Sequence, residues 1–423
     1  MSGIHLHPHD ILDEGTESIL KRLAKMGDID HLFVEVNTIF ERNPYPVGHL
    51  PHNPVHDVVM GSGTLHVKLE NHQQGALYQR IDPTILDGHD PLMLIKQKTD
   101  GTGIKVIPWV NILNGDFGGN INDNTVVNFH GDPVEHWLCP NAPDVVALWK
   151  NTFSRLQQAY GYDTYLIDRI RFPDWAGKSV NPGGLFTCFC THCRQKMKKE
   201  NIDVKTLIFI LEQLVILLRQ HQYRTVAEYL LKDPLLKQWQ TFRQQSITNF
   251  VRTLLCDINQ NDRSLKLWLD LWPPAYSWIL GQDYAELTKL SPALKHFPYH
   301  KLGGGADVQG LIEFFATTPE EKEDAFQAFL HLFNLPYEIS YEYFKAQGFP
   351  IAFVKHQNDI VRQQSQPGTF IFSGIQMWNI DPQNLIDAVN AAKLSACDDL
   401  LYYCYGWATE ELFNAVGQQS SGA

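Results

Sequence analysis

The chain alternates short β-rich segments with helical stretches along nearly its whole length, and this alternation constrains the fold more than any other feature. We count eight such units, in which an apolar, β-branched or aromatic run is followed by residues with helical periodicity. The predicted strands are 3–7, 31–37, 104–111, 163–170, 265–271, 293–299, 369–377 and 399–405. Eight strand–helix units predict a (β/α)8 TIM barrel, and an open doubly wound sheet is the alternative.

Two segments interrupt the alternation. Segment 41–86, after the second strand, is rich in Pro, His, Asn and Gly, so we expect a long loop that walls a binding site. Segment 194–258, after the fourth strand, has apolar residues at helical spacing and predicts a helical insertion, which is also the candidate surface for a homo-oligomer. We expect one barrel domain over 1–415 and a flexible tail at 416–423.

The net charge of -12 and the pI near 5.8 argue against nucleic acid or an anionic membrane as a partner, because both would be repelled. No run of about 18 apolar residues predicts a membrane span. The first residues also lack the basic and apolar regions of a signal peptide. We expect a cytoplasmic protein, or a secreted one if a signal peptide has been removed.

The ends of the predicted strands hold the candidate site, because a (β/α)8 barrel binds its ligands at the C-terminal ends of its strands. These ends carry carboxylates, amides and aromatic rings, which suit the hydroxyls and flat C–H faces of a carbohydrate. The candidate substrate-binding residues are His7, His9, Glu35, Asn37, Trp109, Asn111, Arg171, Trp272, Tyr299, His300, Gln376, Trp378, Tyr405 and Trp407.

Asp168, at the end of the fourth strand, is the first candidate for a catalytic residue. Glycosidic bond cleavage needs one ionised and one protonated carboxyl group, and Arg169 or Arg171 would lower the pKa of Asp168 by turning inward. Period-two alternation places both arginines on the opposite face from Asp168, so the strand must bend before Arg171 can reach it. A buried Asp–Arg pair that only joins two strands is the structural alternative.

The second carboxyl group has several candidates. Asp270 ends the strand that follows that of Asp168, and Asp283 lies in the motif Gly-Gln-Asp-Tyr shortly afterwards. Glu35 on the second strand is a third candidate. The structural alternatives are a loop cap for Asp270 and a charge at a helix N-terminus for Asp283.

Several motifs together resemble a known family. They are Leu-Ile-Asp-Arg-Ile-Arg-Phe-Pro at 166–173, Cys-x-Cys-x-x-Cys at 188–193, Asp-Leu-Trp-Pro-Pro at 270–274, Gly-Gln-Asp-Tyr at 281–284 and Tyr-Gly-Trp at 405–407. The chain resembles the glycoside-hydrolase (β/α)8 barrels of bacteria, which are similar to the α-galactosidase and α-amylase groups of barrels. The resemblance implies a carbohydrate hydrolase with a strand-four aspartate nucleophile, which maps onto Asp168. In the α-galactosidase-like group the acid follows strand six, where this chain has Tyr299 and His300, so a catalytically inactive carbohydrate-binding barrel is an alternative.

A metal-dependent hydrolase is a further alternative, based on the histidines of the first strand. His5, His7 and His9 alternate along that strand, and with His296 or His300 they resemble the metal-dependent amidohydrolase barrels. The fourth strand supplies no Lys and the fifth no His, so we interpret His7 and His9 as polar groups at the rim. No metal and no cofactor are assigned to the catalytic site.

The seven cysteines are an odd number, and the one tight spacing among them is Cys188-x-Cys190-x-x-Cys193, so a disulfide framework is not indicated. Three thiolates at this spacing can hold zinc, with His192 or the distant Cys139 as the fourth ligand. The sequence does not single out a fourth ligand. We therefore favour a cluster of reduced thiols that packs the loop after the fourth strand.

Overall fold

Eight parallel strands form a closed barrel in the computed structural model, which describes residues 2–27, 29–40, 49–58, 61–71, 73, 75–86, 88–175, 182–259, 264–303 and 306–421. The strands are β1 (Ser2–Leu6), β2 (Ile29–Asn37), β3 (Lys105–Asn111), β4 (Thr164–Asp168), β5 (Lys266–Leu271), β6 (Ala293–His296), β7 (Phe370–Gln376) and β8 (Asp399–Tyr403). Each strand pairs with the next one along the chain, and β8 pairs with β1. The predicted (β/α)8 barrel is therefore confirmed, and the open sheet is excluded.

Helices cover the outside of the barrel and fill the connections. The α-helices are Pro8–Glu14, Thr16–Leu23, Pro83–Leu86, Pro91–Thr99, Pro143–Tyr160, Pro182–Leu185, Thr191–Lys199, Val204–Arg219, Tyr223–Lys232, Pro234–Ile258, Pro274–Ser277, Tyr284–Leu287, Val308–Phe315, Pro319–Leu332, Tyr341–Gln347, Ala352–Gln364, Pro382–Lys393 and Glu410–Ser421. Single 3₁₀ turns lie at Ala24–Met26, Trp278–Leu280 and Tyr405–Trp407. Two antiparallel pairs precede β4: Leu77–Gln79 with Phe117–Gly119, and Thr125–Val127 with Pro133–Leu138.

Local sequence signals set several helix ends. Asp233 caps the 25-residue helix Pro234–Ile258 by accepting a hydrogen bond from the Leu236 N–H, and Pro234 occupies the first turn, where no N–H is needed. Gly161 ends the helix Pro143–Tyr160 with a left-handed backbone at φ 76°. Four consecutive helices span 191–258, which agrees with the predicted helical insertion.

Apolar side chains fill the barrel below its mouth. Phe33, Ile107, Leu166, Phe372 and Leu401 form a buried cluster inside the barrel, together with Trp109. The lumen is so tightly packed that a Cβ on Gly3 would lie 2.6 Å from the Phe33 ring. These side chains leave no room for a ligand at their level of the lumen, and barrels of this type bind their ligands at the C-terminal ends of the strands.

The loop after β2 packs on the barrel through its described residues. Leu65 and Leu77 are buried, and the Gln79 side chain donates to the Gly63 carbonyl at 2.6 Å. Residues 41–48, 59, 60, 72 and 74, which belong to the same predicted loop, lie outside the described residues.

Residues 416–421, the first part of the predicted tail at 416–423, belong to the helix Glu410–Ser421. Val416 is buried, and a Cβ on Gly417 would lie 1.8 Å from the Lys25 carbonyl oxygen, so this helix packs closely on the first helical unit. Residues 422 and 423 lie outside the described part of the chain. Within the described residues, no helix combines the length and apolar character that crossing a lipid bilayer would require.

Candidate active site

The end of β4 is bent by Arg169, whose backbone is left-handed at φ 56°, an uncommon conformation for a residue other than Gly. The bend turns Arg171 back toward the strand end, where its Nη1 donates to Asp168 Oδ1 at 3.0 Å and its Nε donates to Asp174 Oδ2 at 2.9 Å. Arg169 Nη1 also donates to Asp174 Oδ2, at 3.0 Å. The strand therefore ends in a network of two carboxylates and two guanidiniums, and Arg171 reaches Asp168 despite their opposite parity.

Asp168 is held in its ionised form. Burial alone would raise the pKa of its carboxyl group, but Arg171, Arg169 and Lys295 hold that pKa below its usual range. The Arg169 N–H and Arg171 Nη1 both donate to Oδ1. Oδ2 takes part in neither bond, and the residue keeps 7 % of its surface exposed, so one carboxylate oxygen lies outside the contacts with these donors.

Asp270 lies at the end of the adjacent strand β5 and is paired with a buried lysine of β6. Lys295 Nζ donates to Asp270 Oδ2 at 2.9 Å, and both side chains are almost fully buried. Burial raises the pKa of Asp270 to about 7; Lys295 opposes this shift, and the charge of Asp168 contributes to it. Asp270 Oδ1 has no hydrogen-bond partner among the described residues. The two carboxyl groups thus interact electrostatically, and their pKa values are displaced in opposite directions.

Aromatic rings form a wall beside these carboxyl groups. The ring of Trp378 lies 4.7 Å from that of Tyr299 and 5.4 Å from that of Trp407, and Tyr403 lies 5.7 Å from Trp407. The indole N–H groups of Trp378 and Trp407 and the Tyr299 hydroxyl have no hydrogen-bond partner among the described residues. Rings with unused polar edges provide both stacking surfaces and hydrogen-bond donors for a polar ligand.

The ends of β1, β2 and β3 form a second polar cluster. His7 Nδ1 lies 2.5 Å from Glu35 Oε2, and Asn111 Nδ2 donates to Glu35 Oε1 at 2.9 Å. Asn37 Nδ2 donates to Gln79 Oε1 at 2.9 Å, and Asn37 Oδ1 accepts from the Asn111 N–H at 2.8 Å. Burial would lower the pKa of His7, but Glu35 and the Cys404 thiol raise it well above its ordinary value.

The three histidines do not alternate along one strand as predicted, because His5 lies on β1, His7 follows its end and His9 lies in the helix Pro8–Glu14. The His5 ring packs against Trp109 and Tyr403 with centroid distances of 4.5 and 5.1 Å, and burial lowers its pKa well below its ordinary value. His9 stacks on His7 at 5.3 Å. Among the described residues, one group of three or more His, Cys, Asp or Glu ligand atoms lies within metal-binding reach, and it consists of cysteines. The amidohydrolase interpretation therefore has no geometric support there.

Asp283 lies in a structural position and not in the carboxylate pair. It caps the short helix Tyr284–Leu287, where its Oδ1 accepts from the Glu286 N–H at 3.2 Å. Its neighbour Gln282 is the residue that bonds to the end of β5, because its Oε1 accepts from the Trp272 N–H at 2.9 Å. Asp is a preferred residue at a helix N-terminus, because its carboxylate accepts a hydrogen bond from a free backbone N–H, and this explains the position of Asp283.

Tyr405 and Trp272 are also placed away from the barrel mouth. The Tyr405 hydroxyl donates to Glu14 Oε2 at 2.8 Å and accepts from Arg22, so the ring lies between the barrel and its outer helices. Trp272 is fully buried, with the Arg171 guanidinium 5.3 Å from its ring centroid. The Trp272 ring therefore packs against the Arg171 guanidinium and helps to hold it in place.

Two further predicted residues fix the rim of β6 and β7. Gln376 Nε2 donates to the Trp378 carbonyl at 2.8 Å, and Gln376 Oε1 accepts from the Lys301 N–H at 3.2 Å. His300 is buried beside Tyr299 and Pro273, and burial lowers its pKa to about 4. His300 is therefore neutral, and Gln376 orders the backbone that carries Trp378.

Sequence reasoning missed Lys295, Tyr403 and Asp174. Lys295 could have been found, because period-two alternation places it on the same face as Phe297 and Tyr299. Parity does not separate Tyr403 from Tyr405; Tyr403 is the last residue of β8, whereas Tyr405 lies in the 3₁₀ turn that follows it. Asp174 offered no such signal, since it lies after the strand and meets the arginines through the bend at Arg169.

No protein-family model matches the sequence, and no curated protein matches it. Solved structures do resemble the fold. The catalytic domain of β-amylase from Paenibacillus polymyxa matches with a TM-score of 0.58 and 10% identity, over 99% of this chain and 97% of that one. β-Galactosidases from Marinomonas ef1 and Rahnella sp. R3 match with TM-scores of 0.53 and 0.52 and identities of 8% and 12%. This chain spans little more than half of each galactosidase, 59% and 55%, while 99% and 100% of it is covered.

These similarities establish the fold. The chain is a (β/α)8 barrel, the fold that the alternation of strands and helices in its sequence predicts.

Proposed function

We propose that the protein is a glycoside hydrolase in which Asp168 is the nucleophile and Asp270 the general acid/base. The observation that carries this proposal is a pair of carboxyl groups at the ends of the adjacent strands β4 and β5: Asp168 accepts from the Arg169 N–H and from Arg171 Nη1, and Asp270 is buried with no partner for Oδ1 among the described residues. These surroundings hold the pKa of Asp168 below its usual range and raise that of Asp270 to about 7. One ionised and one protonated carboxyl group near neutral pH is the requirement for glycosidic cleavage. The resemblance to α-galactosidase and α-amylase barrels, with their strand-four aspartate, supports the same assignment.

The chemistry proceeds in two steps. Asp168 Oδ2 attacks the anomeric carbon while the Asp270 proton passes to the departing glycosidic oxygen. Water then cleaves the resulting glycosyl ester, and its proton returns to Asp270. Lys295 orients the Asp270 carboxyl group through Oδ2, and the Trp378 and Trp407 rings stack on the sugar.

The experiment is hydrolysis of a panel of aryl glycosides and natural oligosaccharides by the wild-type chain and by Asp168→Asn. The substitution preserves shape, so we expect an unchanged fold and a loss of about 10³-fold or more in kcat, since it removes the nucleophile. Asp283→Asn is the matched control, because it makes the same chemical change at a helix cap. Equal activity of Asp168→Asn and the wild type would reject the assignment.

A carbohydrate-binding barrel without turnover is the second candidate. It is favoured by the burial of Asp270, which keeps 1 % of its surface exposed while paired with Lys295. Binding of oligosaccharides by calorimetry, without release of sugar over a long incubation, would support this function. Turnover that depends on Asp168 would exclude it.

A further inference from the structure

Four buried cysteines bring their sulfur atoms together on one side of the barrel. Cys139 follows the strand Pro133–Leu138, whereas Cys188, Cys190 and Cys193 belong to the loop after β4 and the first turn of the next helix. The Cys139 Sγ lies 3.5 Å from the sulfurs of Cys190 and Cys193. All four sulfurs lie within 4.8 Å of one another. The fourth ligand that the sequence did not single out is therefore Cys139, and not His192.

The distances fit a metal ion better than disulfide bonds. With Zn–S bonds of about 2.3 Å, a tetrahedral site separates its sulfurs by about 3.8 Å. A disulfide bond requires about 2.05 Å. The separations of 3.5 Å are close to the first value, and a single group of four sulfurs matches one ion better than two covalent pairs.

The surroundings of the sulfurs favour thiolates. The Val127 N–H and the Cys190 N–H lie 3.3 and 3.5 Å from Cys188 Sγ, and the Asn141 N–H lies 3.4 Å from Cys139 Sγ. The Asn141 side chain also donates to Cys193 Sγ at 3.3 Å. Donors aimed at sulfur stabilise negative charge, and such outer hydrogen bonds orient ligands around a metal.

Two positively charged side chains lie near the sulfurs, the buried Arg243 and the exposed Lys196. The guanidinium of Arg243 is 1 % exposed and interacts electrostatically with Cys188 and Cys193. Lys196 Nζ donates to Asn141 Oδ1 at 2.7 Å, and thereby polarises the amide that bonds to Cys193. Four thiolates with one divalent cation keep a net negative charge, which these two cationic groups offset.

We propose that Cys139, Cys188, Cys190 and Cys193 bind one zinc ion in a closed tetrahedral site. All four ligand positions are taken by protein and are buried, which is the arrangement of a structural zinc site and not of a catalytic one. The ion joins the segment after β3 to the loop after β4. The ion therefore stabilises the loop that follows the Asp168–Arg171–Asp174 network. The proposal of a zinc site does not depend on the proposed glycosidase activity.

The direct test is metal analysis and X-ray absorption of the wild-type chain, purified without a metal-binding tag or chelator. We expect about one zinc per chain, with about four sulfur neighbours at about 2.3 Å in the absorption fine structure. Absence of stoichiometric metal, disulfide bonds among these cysteines, nitrogen or oxygen ligands, or stoichiometric iron in place of zinc would each overturn the proposal.

Cys139→Ala tests the fourth ligand, with Cys256→Ala as the control. Cys256 is exposed on the helix Pro234–Ile258 and lies outside the cluster. We expect the zinc content of Cys139→Ala to fall at least fivefold and its melting temperature to fall with it, while Cys256→Ala keeps both. Retention of zinc by Cys139→Ala would overturn the role of Cys139. If this variant does not fold, the absorption spectrum of the wild type still decides the ligand set.

Discussion

The two halves of the barrel mouth contain similar polar residues but arrange them differently. In the half formed by β1–β3, both oxygens of Glu35 are bonded, to His7 and to Asn111, and Asn37 is bonded on both sides of its amide. In the half formed by β4–β6, Asp270 Oδ1 has no partner among the described residues, and Asp168 Oδ2 lies outside the bonds made by Oδ1. The carboxylate of the first half therefore has both oxygens bonded, whereas each carboxyl group of the second half keeps one oxygen outside these bonds.

This difference distinguishes a carboxyl group with a structural role from one that is available to react. Buried polar groups that satisfy one another stabilise the rim, whereas a buried oxygen without a partner is destabilising unless a ligand supplies one. Comparable substitutions in the two halves should therefore have opposite consequences. We expect changes at β1–β3 to alter stability more than turnover, and changes at β4–β6 to alter turnover more than stability.

The largest expected effect is that of Asp270→Asn on turnover. Amide cannot donate the acid proton, so kcat should fall about 10²–10⁴-fold. In the wild type, activity should fall as pH rises through about 7, because Asp270 loses its proton there. The measurement is the rate as a function of pH for substrates with an activated and with an unactivated leaving group. The loss of kcat in Asp270→Asn should be smaller for the activated aryl glycoside, because its leaving group needs less help from an acid.

Glu35→Gln is the matched control in the other half, and its loss of kcat should be at least 100-fold smaller than that of Asp270→Asn. Equal losses for the two variants would remove the distinction between the halves.

Glu35→Gln should have its main effect on stability, by about 2–3 kcal/mol. The substitution removes a charge-assisted hydrogen bond to the buried His7. Because Glu35 helps to raise the pKa of His7 in the folded chain, this stabilisation is fully present below about pH 6.5 and is lost as pH rises through the raised value.

Urea unfolding of the wild type and of Glu35→Gln at pH 6 and pH 9 measures the difference. The gap in unfolding free energy should be larger at pH 6. A gap that is independent of pH would show that the charge of His7 does not contribute.

The regular part of this molecule was predictable from sequence, and the reactive part only in part. All eight strands could be recognised because apolar periodicity is a local property, and the residues near Asp168 and Asp270 followed from strand ends. The contact of Arg171 with Asp168 depends on the left-handed Arg169, and period two alone places the arginine on the wrong face. The meeting of Cys139 with the other cysteines depends on the packing of segments about 50 residues apart, which no spacing rule describes.

Asp10→Asn should stabilise the chain at neutral and higher pH by about 1 kcal/mol. Asp10 is fully buried beside the β1–β3 half, where its Oδ2 accepts from the His7 N–H at 2.8 Å, and burial raises its pKa to about 7. Because this value exceeds that of the unfolded chain, the wild type loses stability as pH rises between about 4 and 7. Asn keeps the acceptor without the charge.

Thermal unfolding of both proteins from pH 4 to pH 8 tests this expectation. The curves should coincide near pH 4 and separate above pH 7, with Asp10→Asn the more stable. If the wild type were the more stable at pH 8, Asp10 would be ionised and compensated in the folded chain.

The smallest expected effect is that of Asp283→Ala. This variant tests whether the acid lies at the end of β5 or in the helix that follows it. The substitution removes the cap of a four-residue helix and should lower the unfolding free energy by about 0.5–1 kcal/mol. Asp283→Asn should have almost no effect, because Asn caps a helix as well as Asp does. Both variants should keep kcat within about twofold of the wild type, since the Asp283 carboxylate bonds to the helix N-terminus. A loss of turnover in Asp283→Asn comparable with that in Asp270→Asn would identify Asp283 as the general acid in place of Asp270. The reactive half of the mouth would then include this helix cap.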